Sequence, residues 1–132
     1  LAVYAFAKKR TLGIDVEQLR PEAAGDDIAR RYFSAREVSD LGTLPPEARV
    51  EGFFHCWTRK EAYLKATGMG LRIPLDSFAV SLVPGQPDAF LSGVEPRWHL
   101  ASHHPVEGYV AAVVYDGAPC SIKYLSVDAD AV

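Results

Sequence analysis

A chain of 132 residues has room for one domain with a real core and too little for two ordinary ones. Its apolar content of 48% and charged content of 23% describe a soluble globular protein. A formal charge of −3 excludes a general nucleic-acid binder, which needs a basic face, though Lys and Arg cluster enough for a local basic pocket. No apolar run approaches the ~20 residues of a membrane-spanning helix.

The opening "LAVYAFA" reads as a β-strand, "KKRT" as a basic turn, and "LGIDVEQL" as a returning strand. The start lacks the basic leader and cleavage site of a signal peptide. It also lacks an initiator Met, so the expectation is a piece of something longer. "RPEAAGDDIARRYFSAREVSDLGTL" carries helical periodicity in two short pieces, with Ser34 and Glu37 spaced as a capping box. "PPEARVEGFFHCWTRKEAYLKATGMG" is a long helix with Pro45 and Pro46 at its start and Gly68 or Gly70 at its end.

The chain then turns to strands: "SFAVSLV", "DAFLS", "RWHLASHH", "YVAAVVY" and "SIKYLSV". Helices and strands in separate blocks predict an α+β domain whose mainly antiparallel sheet packs against a helical block. The domain runs over residues 1–127, and 128–132, "DADAV", reads as a loose tail. Cys56 and Cys120 make no metal-ligand pattern and are expected to stay reduced in a cytoplasmic protein.

On a wheel of about 100° per residue, Val50, Phe53, Phe54, Trp57 and Leu64 form one apolar stripe of the long helix, expected to face a core. Glu61 lies near the centre of that stripe, with Lys60 and Lys65 on its flanks. A carboxylate desolvated there without a partner costs several kcal/mol. An i,i+4 pair with Lys65 contributes only ~0.2–0.5 kcal/mol and leaves the aromatic neighbours unexplained.

In "GIDVE", Asp15 and Glu17 share one face of a strand, with Ile14 and Val16 expected on the core face. If the helix packs beside this strand, Asp15, Glu17 and Glu61 converge. Three carboxylates without His or Cys favour Mg²⁺, or Mn²⁺, over zinc. Such an ion shares its remaining positions with substrate phosphates, whose oxygens Lys60 and Lys65 could neutralise.

"GIDVE" followed by "FFHCWTRKEAYLKATGMGL" resembles the paired signature of the 4′-phosphopantetheinyl transferases. The Trp, the run "GMGLRIPLDSFAV" and the intervening "RRYFSAREVSDL" resemble the Sfp-like branch. The resemblance implies transfer of the phosphopantetheine arm of coenzyme A to a serine of an apo acyl or peptidyl carrier protein, releasing adenosine 3′,5′-bisphosphate. The carrier could belong to fatty-acid, polyketide or nonribosomal-peptide assembly.

The resemblance further implies Asp15, Glu17 and Glu61 as magnesium ligands, Lys65 as the lysine assisting the leaving group, and Lys60 as the one near the coenzyme A phosphates. Glu61 or a metal-bound water is then the candidate base. Enzymes of this branch consist of two similar halves, and the chain resembles only the second. A missing N-terminal half, or a second copy of the chain, is therefore an implied partner. The Ser-His element that normally precedes the opening strand is absent; "SHH" at 102–104 reads as strand end and loop, and His55 as a packing or surface residue. The rival readings are an isolated or decayed half that keeps the fold without catalysing transfer, and another Mg²⁺-dependent phosphoryl enzyme.

Overall fold

A computed structural model describes residues 1–127. In chain order it contains β1 (Leu12–Gln18), α1 (Asp26–Tyr32), α2 (Ala35–Thr43), α3 (Pro46–Thr67), β2 (Ala79–Val80), β3 (Phe90–Ser92), β4 (Trp98–His103) and β5 (Tyr109–Asp116). Three strands form an antiparallel sheet in the order β1-β5-β4, and β2 with β3 forms a separate antiparallel pair. The expected α+β architecture with antiparallel sheets is present.

Helix α3 is the spine of the fold. Pro at its first positions supplies a preset φ where no backbone donor is required, and Gly68 ends it in the left-handed region at φ 69°. The helix lies across β1 and β5. Its buried residues Phe54, Ala62 and Leu64 join Val110, Ala112 and Val114 of β5 in the core. Helices α1 and α2 cover another side of α3. There the Phe33 and Phe53 rings meet at 5.2 Å and Phe53 lies nearly parallel to Trp57 at 6.2 Å. The capping box at the start of α2 forms as expected: Ser34 Oγ accepts from Glu37 N, and Glu37 Oε1 accepts from Ser34 N at 2.7 Å.

Several strand expectations are corrected. "LAVYAFA" is coil and joins no ladder among the described residues, with Tyr4 and Phe6 exposed. "SIKYLSV" is coil as well, held to the sheet by the stacking of Tyr124 on His103 at 3.9 Å. Only Ala79–Val80 of "SFAVSLV" joins a ladder, which shifts register there. Alternating hydrophobicity marks a pleated segment, but a strand also needs a neighbour to pair with. The ladder found for β1 is with β5, which leaves β1 at an edge of the sheet. "DADAV" lies outside the described residues.

Candidate active site

The site is built where β1 meets α3, and Gly13 permits that meeting. A Cβ at Gly13 would collide with the backbone of Ala62 and Ala66, so the strand lies directly against the helix. Because side chains alternate along a strand, Gly13, Asp15 and Glu17 all take the helix-facing side. Ile14 and Val16 lie on the opposite face and are half-buried, the reverse of the expected assignment. The direction of the strand's helix side is set by the missing side chain of Gly13, not by its hydrophobic residues.

The apolar stripe of the helix faces the core as expected, and the place of Glu61 on it is what changes. Nearly every face of α3 between Gly52 and Ala66 is buried, including Phe53, Phe54, Cys56, Ala62 and Leu64. Val50 and Trp57 are half-buried and pack against that core, Glu61 is half-buried and Lys65 is exposed, so only the part of the stripe that carries Glu61 and Lys65 is open. Glu61 therefore sits at a rim beside β1 rather than within a core.

At this rim the structure brings together Asp15, Glu17, Glu61 and Lys65. Lys65 Nζ donates to Asp15 Oδ1 at 2.8 Å. Burial pushes the Asp15 carboxyl above its ordinary value, and the Lys65 pairing only partly offsets it. Burial, then the charge of Asp15, raises Glu61 as well. Glu17 is raised by burial and by Asp15 and Glu61, with Arg20 and Lys65 acting the other way. Glu17 and Glu61 thus each feel the charge of Asp15.

The structure also offers a direct test of fit to a cation. Asp15 Oδ2 is buried without a hydrogen-bond partner. An orphaned, desolvated carboxylate oxygen whose charge two further acids feel is suited to a hard divalent cation, and the all-oxygen donor set fits Mg²⁺ or Mn²⁺.

Lys60 is not part of this group. It lies one residue before Glu61, which turns it about 100° around the helix and into the core. Its side chain is 1% exposed and forms an ion pair with Glu37 Oε1 at 2.9 Å. It also donates to the carbonyls of Leu75 and Phe78. Ion-paired to Glu37 and bonded to two carbonyls inside the protein, the Lys60 ammonium is directed away from the rim. The expected phosphate-binding role of Lys60 is corrected to a structural one. Glu37 was legible as a helix cap; its second role, accepting from Lys60 and from Val80 N at 2.8 Å, was not.

A second polar cluster, not foreseen as a group, joins Glu51, His55 and His104. Their donor atoms lie within 4.8 Å of one another, the one such cluster found among the described residues. It is a poor metal site for a reason of tautomers. Arg59 Nη2 lies 2.9 Å from His55 Nδ1. A guanidinium can only donate, so Nδ1 accepts and Nε2 carries the hydrogen, directed to Glu51 Oε1 at 3.2 Å. Metal binding at Nε2 would strip that hydrogen and leave an anionic ring. Burial, and then the Arg59 charge, lowers the His55 pKa and favours this neutral form. The cluster fastens the β4–β5 turn, which carries His104, onto α3. His55 is a packing residue and 102–104 is strand end and loop, as read from the sequence.

The sequence profile of the 4'-phosphopantetheinyl transferase superfamily matches residues 11–114. The chain is 40% identical over 117 residues to the 4'-phosphopantetheinyl transferase HetI of Nostoc sp., covering 89% of this chain and 48% of that protein. It is 42% identical over 117 residues to the 4'-phosphopantetheinyl transferase ffp of Bacillus subtilis, covering 89% and 42%. With Sfp of Bacillus subtilis it shares 36% identity over 103 residues, covering 77% and 45%. The chain thus spans about half the length of these curated relatives.

Among solved structures, a holo-(acyl-carrier-protein) synthase from Bacillus anthracis in complex with CoA (3',5'-ADP) superimposes with a TM-score of 0.68 at 24% identity. That match covers 80% of this chain and 94% of that one. The synthase of Thermotoga maritima gives 0.61 at 23% identity, covering 80% and 62%. At these identities the structural likeness carries the fold alone. The matched span holds both the strand bearing Asp15 and Glu17 and the helix bearing Glu61 and Lys65, and the strongest relatives share the activity name. This chain belongs to the 4'-phosphopantetheinyl transferase superfamily.

Proposed function

We propose that this chain is the C-terminal half, residues 1–127 forming one domain, of a two-half Sfp-like transferase. The reaction is transfer of 4′-phosphopantetheine from coenzyme A to a serine hydroxyl of an apo acyl or peptidyl carrier protein. The observation that carries the reading is the β1–α3 rim, where three acids and one accessible lysine meet and one acid oxygen lacks a partner. Relatives named for this activity at 36–42% identity support it.

In this reading Asp15, Glu17 and Glu61 hold Mg²⁺ or Mn²⁺. When bound, the cation withdraws charge from the pyrophosphate oxygens as the bridge breaks. The chain's own residues supply the rest. The serine oxygen attacks the β-phosphorus, the bond to the bridging oxygen breaks, and adenosine 3′,5′-bisphosphate leaves. Glu61, half-buried at the rim beside Asp15, is the carboxylate assigned to accept the serine proton. Lys65 is about half exposed and free to swing on its stem, so its ammonium can meet the oxygen charge of the leaving group.

The second reading, a half that keeps the fold without catalysing transfer, is favoured by the share of the relatives that the chain spans, 48% and 42%. Leu71, Phe6, Tyr4 and Leu125 are all largely exposed, which suits a surface that another half, or a second copy, covers. A cytoplasmic location belongs to the same proposal, and the free thiols of Cys56 and Cys120 suit a reducing compartment.

The test is a mass measurement. Apo carrier protein, coenzyme A and Mg²⁺ are incubated with this chain, alone and joined to the complementary half of a relative such as HetI. The expected result is the added-arm mass shift with the joined protein and little with the chain alone. Absence of the shift in both, with the joined protein folded, would overturn the transferase reading. Rapid modification by the monomeric chain alone would overturn the requirement for a second half.

A further inference from the structure

We propose that Lys65 is the resident counter-cation of the acid cluster, and that it and the divalent cation compete for Asp15, so that binding the metal releases the lysine toward the substrate. The inference rests on the proposed metal role of Asp15, Glu17 and Glu61, and deepens it by giving the site an order of events.

Four observations lead there. Lys65 is the cation bonded to Asp15, through Oδ1 at 2.8 Å. The other oxygen of the same carboxylate is buried and unpartnered. Glu17 and Glu61 add their charge to that of Asp15, and Arg20 is the other cation felt at Glu17. Finally, the Lys65 side chain is 54% exposed whereas that of Asp15 is 9% exposed, so one partner can move while the other is fixed.

An ammonium supplies one charge and donates to one of the carboxylate's two oxygens. That is enough to keep the acids together without a metal and too little to satisfy them. A divalent cation brings twice the charge and takes several oxygens at once. The two cations repel at so short a distance, so the mobile one departs. With its lysine half in solvent, the pair is closer to a surface one, about 0.2–1 kcal/mol, than to a buried one, and a bound metal can displace it. Lys65 near the end of α3 needs only rotamer changes to leave Asp15. The exchange thus holds the lysine back until a metal arrives, and then presents it where phosphate oxygens bind.

The experiment compares the chain with its Lys65→Gln and Asp15→Asn variants. Mg²⁺ is titrated into each at constant ionic strength and melting temperature is read. In parallel, the rate at which trinitrobenzenesulfonate modifies Lys65 is followed by peptide mass mapping, with and without Mg²⁺. The expected results are apparent Mg²⁺ affinity about two- to fivefold tighter in Lys65→Gln, matching removal of such a pair, and Lys65 modified severalfold faster in the presence of Mg²⁺. Equal affinities with an unchanged modification rate, while Asp15→Asn loses the Mg²⁺ response, would overturn the exchange and leave the metal site standing. No Mg²⁺ response in any of the three proteins would overturn both.

Discussion

Helix α3 carries two lysines five positions apart, each paired with an acid from another element, and they do opposite work. Lys60 is enclosed: it is ion-paired with Glu37 and donates to two carbonyls, and Glu37 in turn has both oxygens occupied. Lys65 is half in solvent, holds one oxygen of Asp15, and leaves the other bare. The first pair is a saturated joint tying α2, α3 and the chain before β2 together. The second is unsaturated and sits at a rim where a third party can enter. Completeness of the polar partners, rather than the presence of an ion pair, separates a structural contact from a candidate site.

Breaking the saturated pair should produce the largest effect. Lys60→Met leaves the Glu37 carboxylate buried without its cation and strips donors from Leu75 and Phe78. The expected loss is about 3–5 kcal/mol of stability, read as a lower urea midpoint. The double substitution Lys60→Met with Glu37→Gln should recover part of that loss, because no unpaired charge then remains inside. A soluble, normally stable Lys60→Met protein with weakened coenzyme A binding would return Lys60 to the phosphate site.

The unsaturated pair should respond in the opposite currency. In the joined two-half protein, Lys65→Ala or Glu61→Gln is expected to lower turnover by about 10²–10³. The cost in stability should stay within ~1 kcal/mol, since both side chains lie at the rim. Turnover and melting temperature measured on one preparation separate the outcomes. A stability loss with undiminished turnover of the folded fraction would make Lys65 a structural residue like its neighbour.

Between these extremes lies Gly13, which brings the strand to the helix. Gly13→Ala would drive a methyl group into the backbone of Ala62 and Ala66. The strand must back away, at a cost of about 1–3 kcal/mol. Asp15 and Glu17 would move off with it, so the Mg²⁺ response should weaken along with stability. An unaltered response would mean that the acids do not depend on this close approach.

How much of this was legible follows the physics of each signal. The capping box and the long helix rest on local spacing and form as read. The grouping of Asp15, Glu17, Glu61 and Lys65 was legible because strand and helix periodicities each put their residues on one side, and the motif resemblance joined the two. Lys60 was misplaced because a motif says which residues are adjacent in sequence, whereas one helical step turns Lys60 away from Glu61 and into the core. The inward face of β1 was misjudged because hydrophobicity normally marks it, and here a glycine that gives up its side chain does so instead. The Glu37–Lys60 joint and the attachment of His104 to Glu51 and His55 were invisible for a simpler reason: they join residues far apart in sequence and leave no periodic trace.

The smallest effect concerns pH, and it sharpens the contrast between an acid that is satisfied and one that is not. Burial raises the pKa of Asp15 despite Lys65, and it raises Glu17 and Glu61 too. The folded, metal-free chain therefore holds protons that the unfolded chain has already released. Across the window from the ordinary carboxylate range up to these raised values, stability falls as pH rises and is regained as pH falls. Asp15→Asn keeps the shape and removes the charge, so at neutral pH it should raise the metal-free melting temperature by about 2–4 °C. At pH below the window Asp15 is protonated in both states and the difference should vanish. Mg²⁺ should reverse the ranking at neutral pH by stabilising the native chain alone. Thermal melts of both proteins from pH 3 to 8, with and without Mg²⁺, test each sign. An Asp15→Asn protein that melts lower at neutral pH would show that the bond to Lys65 outweighs the desolvation, and would place Asp15 with the satisfied acids after all.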